Sequence, residues 1–166
     1  MRVVQLTEES LPRMMVLMER MASALPDPRW YFTCTRAQFE EDMRHGLRLF
    51  GIEDGDRLIA MASACPSGDD APVHYAADIS MAAGGVMNYC DVMTDPACRR
   101  MGLHRLLTEA VHEFALAQGC GTVLCTVDPK NVPSRKAFEK AGYRAVLEKP
   151  AYDGRPRVYY LKNLSR

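Results

Sequence analysis

The stretch from Val86 to Gln118 constrains this chain more than any other: a run that reads as a strand to Thr94, a turn-rich passage through Gly102, then a long amphipathic segment. Leu103, Leu106, Leu107, Ala110, Val111 and Phe114 fall on one helical face, and Gly119 supplies the stop. A strand that feeds such a helix through a turn lays the helix against a sheet. The helix start leaves backbone N–H groups unpaired at the positive end of its dipole. That favours a phosphate or pyrophosphate, and Gly102 lets the group approach without meeting a Cβ. Arg99, Arg100 and Arg105 add positive charge beside the opening. Taken alone, the turn reads more readily as a solvated loop with its arginines in water.

The flanking segments supply the rest of a sheet. Arg2 to Leu6 reads as a first strand, and Thr7 or Ser10 caps a helix carrying Leu11, Met14, Met15, Met18, Met21 and Ala22. After a break at Pro26 and Pro28, Thr35 and Gln38 have capping-box spacing, and Gly46 ends the helix they open. Leu47 to Ile52 and Leu58 to Cys65 read as strands joined around Asp54-Gly55. A short helix is expected around Tyr75 to Met81, bounded by Gly84-Gly85. Thr122 to Val127 is a strand and Ser134 to Lys140 a helix. Tyr143 to Glu148 and Val158 to Leu161 are strands flanking a turn at Asp153-Gly154. This order argues for α/β or α+β, one central sheet with helices on its faces.

Charge and cysteine usage narrow the partners. With 21 basic and 21 acidic side chains the formal charge is zero, so the basic excess of a nucleic-acid binder is missing and no nucleic-acid partner is expected. No apolar stretch approaches the length of a bilayer and no segment looks like a signal peptide. The expectation is a cytoplasmic protein with no membrane partner. Cys65, Cys90 and Cys125 sit in apolar runs where a free thiol behaves as a small hydrophobe. There is no CxxC pair, and His45, His74, His104 and His112 show no metal-ligand spacing, so no metal is expected. The 166 residues fit one domain, 1–166.

A resemblance gives the glycine turn its meaning. Thr94-x-Pro96-x-x-Arg99-x-x-Gly102 resembles V-x-P-x-x-[QR]-x-x-G-x-[GA], the acyl-CoA-binding signature of the GNAT superfamily of N-acetyltransferases. Thr94 replaces the usual valine. His104 replaces the usual glycine or alanine, so its side chain must turn away from the pyrophosphate or join in binding it. Further on, Asn131-Val132-Pro133-Ser134 and Phe138-Glu139-Lys140-Ala141-Gly142-Tyr143 resemble N-x-x-[SA]-x-x-x-Y-E-K-x-G-[FY]. A capped helix ending at glycine explains Ser134 and Gly142 without a ligand, but not two signatures in order. The resemblance covers about residues 86 to 148. It implies a GNAT-like fold with a mostly antiparallel sheet, helices on both faces, and two splayed strands, Val86 to Thr94 and Thr122 to Val127.

It also implies acetyl-CoA, or a close acyl-CoA, as cosubstrate. The pantetheine arm would lie between the splayed strands as a pseudo-strand, meeting the backbone of Val92, Met93 and Thr94. Arg99, Arg100, Met101, Gly102, Leu103, His104 and Arg105 would surround the pyrophosphate, with Asn131 and Phe138 on the other side of the arm. Ser134 either touches the cofactor or caps its helix. The implied reaction is direct acetyl transfer to a primary amine of a small molecule. The alternatives are a non-catalytic acyl-CoA sensor and transfer to a protein or peptide amine.

Direct transfer needs a neutral amine, a polarised thioester carbonyl and a thiolate leaving group. Many relatives carry a tyrosine at the position of Phe138 to protonate the thiolate, and Phe138 cannot. Tyr143, Tyr89, Tyr75, Tyr152 or a water are the remaining sources, each tyrosine having a plain packing reading. Asp91, on the strand leading into the motif, is the leading carboxylate. Asp91 and Tyr143 are the catalytic candidates, with Asp78 and Asp128 behind them. Cys90 and Cys125 have no histidine in the same local motif, so buried thiols are the better reading than a ping-pong nucleophile.

For the acceptor, Trp30, Tyr31 and Phe32 either wall its site or pack the helix-to-helix loop. Asp69, Asp70 and Asp78, in the connection from Pro66 to Gly85, favour a small cationic amine. The tail from Tyr152 through Lys162 resembles a terminal hairpin that completes the pocket or pairs across a homodimer.

Overall fold

The computed structural model describes residues 1–151 and 154–165. Its strands are β1 (Val3–Leu6), β2 (Arg48–Asp54), β3 (Arg57–Pro66), β4 (Val86–Thr94), β5 (Thr122–Val127), β6 (Arg144–Ala151) and β7 (Arg155–Asn163). The helices are α1 (Leu11–Ser23), α2 (Arg36–Arg44), α3 (Tyr75–Asp78), α4 (Leu103–Ala117) and α5 (Val132–Lys140). Tyr152 and Asp153, named above as a candidate hydroxyl and a turn residue, lie outside the described residues.

The strands form a seven-stranded sheet in the order β1-β2-β3-β4-β5-β7-β6. Neighbours are antiparallel except β4 and β5, which run parallel. Side-chain alternation divides the apolar residues between two faces. On one, Leu103, Leu107 and Val111 of α4 and Phe138 of α5 pack on Ala60, Ala62 and Ala64 of β3, Met87 and Tyr89 of β4, and Val123 and Cys125 of β5. On the other, Leu11, Met14, Leu17 and Met18 of α1 and Phe39 of α2 pack on Leu49, Met61, Cys65 and Met93. Small alanines on β3 let α4 approach closely. The methionine-rich α1 fills the less regular opposite side.

Local signals account for most boundaries. The Thr35 hydroxyl accepts from the Gln38 N–H (3.2 Å) and Gln38 Oε1 from the Thr35 N–H (2.7 Å), the reciprocal pair expected at the start of α2. Gly55 takes φ +59° in the β2–β3 hairpin turn, the left-handed conformation glycine adopts freely. Several elements end away from their expected bounds, among them β2 at Asp54 and β6 at Ala151, and three are instructive. Helix α5 begins at Val132, not Ser134, because Asn131 is its cap: Asn131 Oδ1 accepts the Ser134 N–H (3.3 Å). Helix α3 is a single turn ending at Asp78, short of the expected Met81. Strand β7 extends well past both expected ends because β5 and β6 pair with it on its two edges, and pairing overrides weak local propensity.

Candidate active site

The parallel pairing of β4 with β5 covers Val86–Thr122, Met87–Val123 and Asn88–Leu124 and then stops, although β4 continues to Thr94 and β5 to Val127. Beyond Asn88, β4 stays paired with β3 while its other edge parts from β5. Backbone N–H and C=O groups on such an edge can pair with an amide-bearing ligand.

A β-bulge lies at the same point. Tyr89 pairs with Ala64 and Asp91 with Ser63, so Cys90 is the extra residue. The bulge breaks strict alternation. Tyr89 faces α4, whereas Asp91 shares a face with Ser63, Met61 and Met93 on the α1–α2 side. There Asp91 Oδ1 accepts a hydrogen bond from the Tyr31 hydroxyl (2.6 Å) and Oδ2 one from the Ser63 hydroxyl. Burial pushes the Asp91 carboxyl above the ordinary carboxylate range, against the opposing pull of those two donors. Asp42 on α2 is also raised, by burial and then by the Asp91 charge, and the Cys34 thiol is pushed up to about 12 by burial, Asp91 and Asp42. Two carboxylates therefore share the α1–α2 flank of the parting strands.

At the far end of β4 the chain turns into α4. Asp95, 2% exposed, accepts the Ala97 N–H (2.9 Å) and pairs with Arg20 of α1 (3.0 Å) and Arg57 of β3 (2.9 Å), which fixes the turn to both elements. Burial would raise its carboxyl, but the Ala97 N–H and the Arg57 and Arg20 guanidiniums hold it below the usual range. Arg100 (φ +66°) and Gly102 (φ +75°) both take left-handed backbone. Gly102 caps α4 without any side-chain hydrogen bond, and a Cβ there would meet nothing within 4 Å. Arg99, Arg100 and Met101 are exposed, as is Arg105, which pairs with Glu109 (2.7 Å). The helix mouth is open and cationic, the arrangement that binds phosphates.

On the α4 side of the parting, rings gather. The Phe138 ring lies 4.8 Å from His104, 5.4 Å from Tyr89 and 5.1 Å from Tyr143, centroid to centroid. His104 turns into this cluster. Its Nδ1 is 3.3 Å from Thr108 Oγ1, and Thr108 Oγ1 is 3.3 Å from the Tyr89 hydroxyl. Burial depresses the His104 imidazole to about 4 and raises the Tyr89 hydroxyl. The Tyr143 hydroxyl bonds His112 Nε2 on α4 (2.8 Å), and burial raises it strongly. Val92 and Thr94 point toward α4, opposite Ala62 and Ala60, and Met93 is buried against α1.

The remaining candidates differ in how they are held. Asp78 accepts from the Tyr159 hydroxyl (2.7 Å), and Tyr75 packs edge-on against the Tyr159 ring (6.1 Å). Asp69 and Asp70 are exposed. Asp128 pairs with Arg157 (3.5 Å), both buried. Arg157 also donates to the carbonyls of Trp30 and Arg29 (3.3 Å each). Arg155 donates to the Tyr31 carbonyl (3.3 Å), with its guanidinium 5.4 Å from the Phe32 ring centroid. The aromatic loop is thus clamped to β7 and presents Tyr31 to Asp91. A bond to Cys65 and burial push the Cys90 thiol well up, and burial does the same for Cys125, so neither is a ready nucleophile. Sequence reasoning missed Ser63, Asp42, Asp95 and Thr108. Only Ser63 carried a signal, as the one hydroxyl in the apolar run from Leu58 to Cys65.

Among the described residues no three His, Cys, Asp or Glu side chains are grouped to hold a metal ion, and no helix is long and apolar enough to cross a membrane. No curated protein matches the chain. Solved structures resemble it over nearly its whole length. An N-acetyltransferase from Staphylococcus aureus Mu50 is 17% identical, with 98% of each chain covered and a TM-score of 0.75. The Escherichia coli ribosomal-protein-S18-alanine N-acetyltransferase is 16% identical, covering 99% of this chain and 94% of that one, with a TM-score of 0.73. The yncA protein of Salmonella typhimurium, solved with its cofactor acetyl-CoA, is 15% identical, covering 98% and 93%, with a TM-score of 0.72. At these identities the likeness establishes the fold. The model of the acetyltransferase (GNAT) family matches residues 13–143, most of the sequence, and spans both the parted strands and the α4 mouth. The chain belongs to the GNAT family and is an acyltransferase of it.

Proposed function

We propose that this chain transfers an acetyl group from acetyl-CoA to a primary amine of a small cationic molecule by direct attack on the thioester. The observation that carries this reading is the parting of β4 from β5 after Asn88 and Leu124, with the open α4 mouth at one end and Asp91 on its flank. The residues present fit the cosubstrate. The β5-facing edge of β4 through Val92, Met93 and Thr94 offers backbone groups to amides. Gly102 brings no Cβ to the helix mouth, Leu103 and His104 behind it add backbone N–H groups of the first turn, and Arg99, Arg100 and Arg105 offer charge to a diphosphate. Asn131, its Oδ1 engaged by the α5 cap, keeps its amide N–H groups for the other side, beside Ser134 and Phe138.

Bound acetyl-CoA supplies an acyl carbon activated by a thiol leaving group. The chain's own task is to deprotonate the acceptor, because aliphatic amines are protonated at neutral pH. Asp91 suits that role: burial raises its carboxyl toward the working range, and Tyr31 and Ser63 fix both oxygens. Asp42 adds a second negative group on the same flank, which favours an acceptor with positive charge of its own. Tyr143 takes no part in this reading, because His112 holds its hydroxyl.

The test is thiol release from acetyl-CoA across polyamines, amino acids, aminoglycosides and peptides. Amine-dependent release led by small cationic amines is expected. Release with none of them would overturn the reading, and a peptide as the best acceptor would move the acceptor class to protein amines.

A further inference from the structure

Two buried side-chain polar atoms among the described residues have no hydrogen-bond partner, Trp30 Nε1 and His104 Nε2. Buried polar groups are nearly always paired, so an exception beside a candidate site asks what pairs it there. The surroundings of His104 answer most directly. Its ring packs against Phe138, and its Nδ1 is tied through Thr108 to Tyr89, the first β4 residue beyond the last β4–β5 pair. His104 therefore belongs to the cluster that closes the gap on the α4 face, across the sheet from Asp91.

Aminolysis of a thioester forms a C–N bond and breaks a C–S bond. The electron pair of the broken bond goes to sulfur; an ammonium acceptor first sheds one proton through Asp91 to solvent, and the amine nitrogen loses a second as the amide forms. We propose that His104 is a catalytic residue whose Nε2–H donates a hydrogen bond to the departing sulfur, while Asp91 on the opposite face takes the amine's proton. The inference rests on the acetyl-CoA reading above. The bonds balance: the product amide and a thiolate form, the second proton resides on Asp91, and solvent protonates the thiolate after release. Hydrogen on Nε2 requires Nδ1 to accept, and the Thr108 hydroxyl, 3.3 Å from Nδ1 and 3.3 Å from the Tyr89 hydroxyl, is placed to donate to it while accepting from Tyr89. Burial keeps that imidazole neutral at physiological pH, a donor that brings no charge to be desolvated.

The experiment compares wild type, His104→Phe and His104→Gln by steady-state thiol release, by calorimetry with CoA, and by ultraviolet titration of the bound CoA thiol. The Phe variant keeps a ring against Phe138 and loses the donor; the Gln variant keeps an N–H. His104→Phe is expected to lower kcat about 10²-fold, the usual effect of removing one donor to developing negative charge, with CoA affinity held within about threefold. In wild type the bound thiol should titrate at lower pH than in His104→Phe, since a donor favours the thiolate. His104→Gln should retain most of both effects. Equal titration and turnover in wild type and the Phe variant would overturn the inference. So would a Gln variant as impaired as the Phe variant, or a loss confined to CoA affinity. Wild-type chain that binds no CoA would instead remove the acetyl-CoA reading, and this inference with it.

Discussion

Replacing Arg157 with Met keeps most of the aliphatic volume and removes the guanidinium. In the native chain Arg157 (3% exposed) and Asp128 (5% exposed) lie 3.5 Å apart, almost sealed from solvent. The substitution leaves the Asp128 carboxylate buried with the Lys130 N–H (2.9 Å) in place of its ion pair. Breaking a buried pair from one side costs about 3–5 kcal/mol, because a charge stays behind without compensation. For a chain of this size each kcal/mol moves Tm by about 2–4 °C, so the expected fall is about 6–20 °C. A second effect follows from the same guanidinium. The carbonyls of Trp30 and Arg29 lose their donor, so the loop presenting Tyr31 to Asp91 loosens. KM for the acceptor should therefore rise more than KM for acetyl-CoA. The double variant Arg157→Met/Asp128→Leu removes both charges and should regain most of the lost Tm without regaining acceptor affinity. Thermal unfolding by circular dichroism and steady-state thiol release measure the two effects. A single variant melting within about 2 °C of wild type, or a double variant no more stable than the single, would refute the reasoning.

Two further substitutions test other parts of the site. Gly102→Glu puts a carboxylate at the α4 mouth on φ +75° backbone; it should cost about 1–2 kcal/mol of stability and abolish CoA binding by calorimetry, and unchanged affinity would place the diphosphate elsewhere. Asp91→Asn should lower kcat/KM about 10²–10⁴-fold and remove the fall in rate on the acid side of the pH profile. Because the Asp91 carboxyl is raised in the folded chain, the fold binds that proton more tightly than the unfolded chain does. Its contribution to stability is thus lost as pH rises from the ordinary carboxylate value through the raised one. Asp91→Asn should remove this trend, so Tm at neutral pH equal to or above wild type is expected, and a marked drop would argue that Asp91 serves the fold.

Much of the fold could be read from local chemistry. The Thr35–Gln38 box, the Gly55 turn and the apolar stripe of α4 are signals spanning a few residues, and each is where the sequence places it. The open helix mouth at Gly102 was legible for the same reason, since it needs a strand, a glycine and a helix in succession. The chemistry beside it was not. Asp91 is held by Tyr31, 60 residues away, and Ser63, 28 residues away, and no spacing rule links those positions. Cys90 forms a bulge without a glycine or proline to announce it, so alternation alone puts Asp91 on the wrong face. His104 stood out as an unusual residue in its motif, but which way its ring turned depended on Thr108 and Phe138. Asp128 and Asp78 illustrate the converse: acids that read as weaker catalytic candidates turn out to be held by Arg157 and Tyr159.

The clamp on the aromatic loop spans nearly the whole chain, since Arg157 reaches the Trp30 carbonyl across 127 positions. Strand β7, which carries that arginine, is made after both of its neighbours yet inserts between β5 and β6. During synthesis β6 must therefore wait beside the growing molecule until its inner neighbour leaves the ribosome. Until then the N-terminal loop has no anchor either. A nascent chain can assemble the β4–α4 half of the centre while its other wall hangs open, so truncation at the C-terminus disables the centre at its N-terminal side.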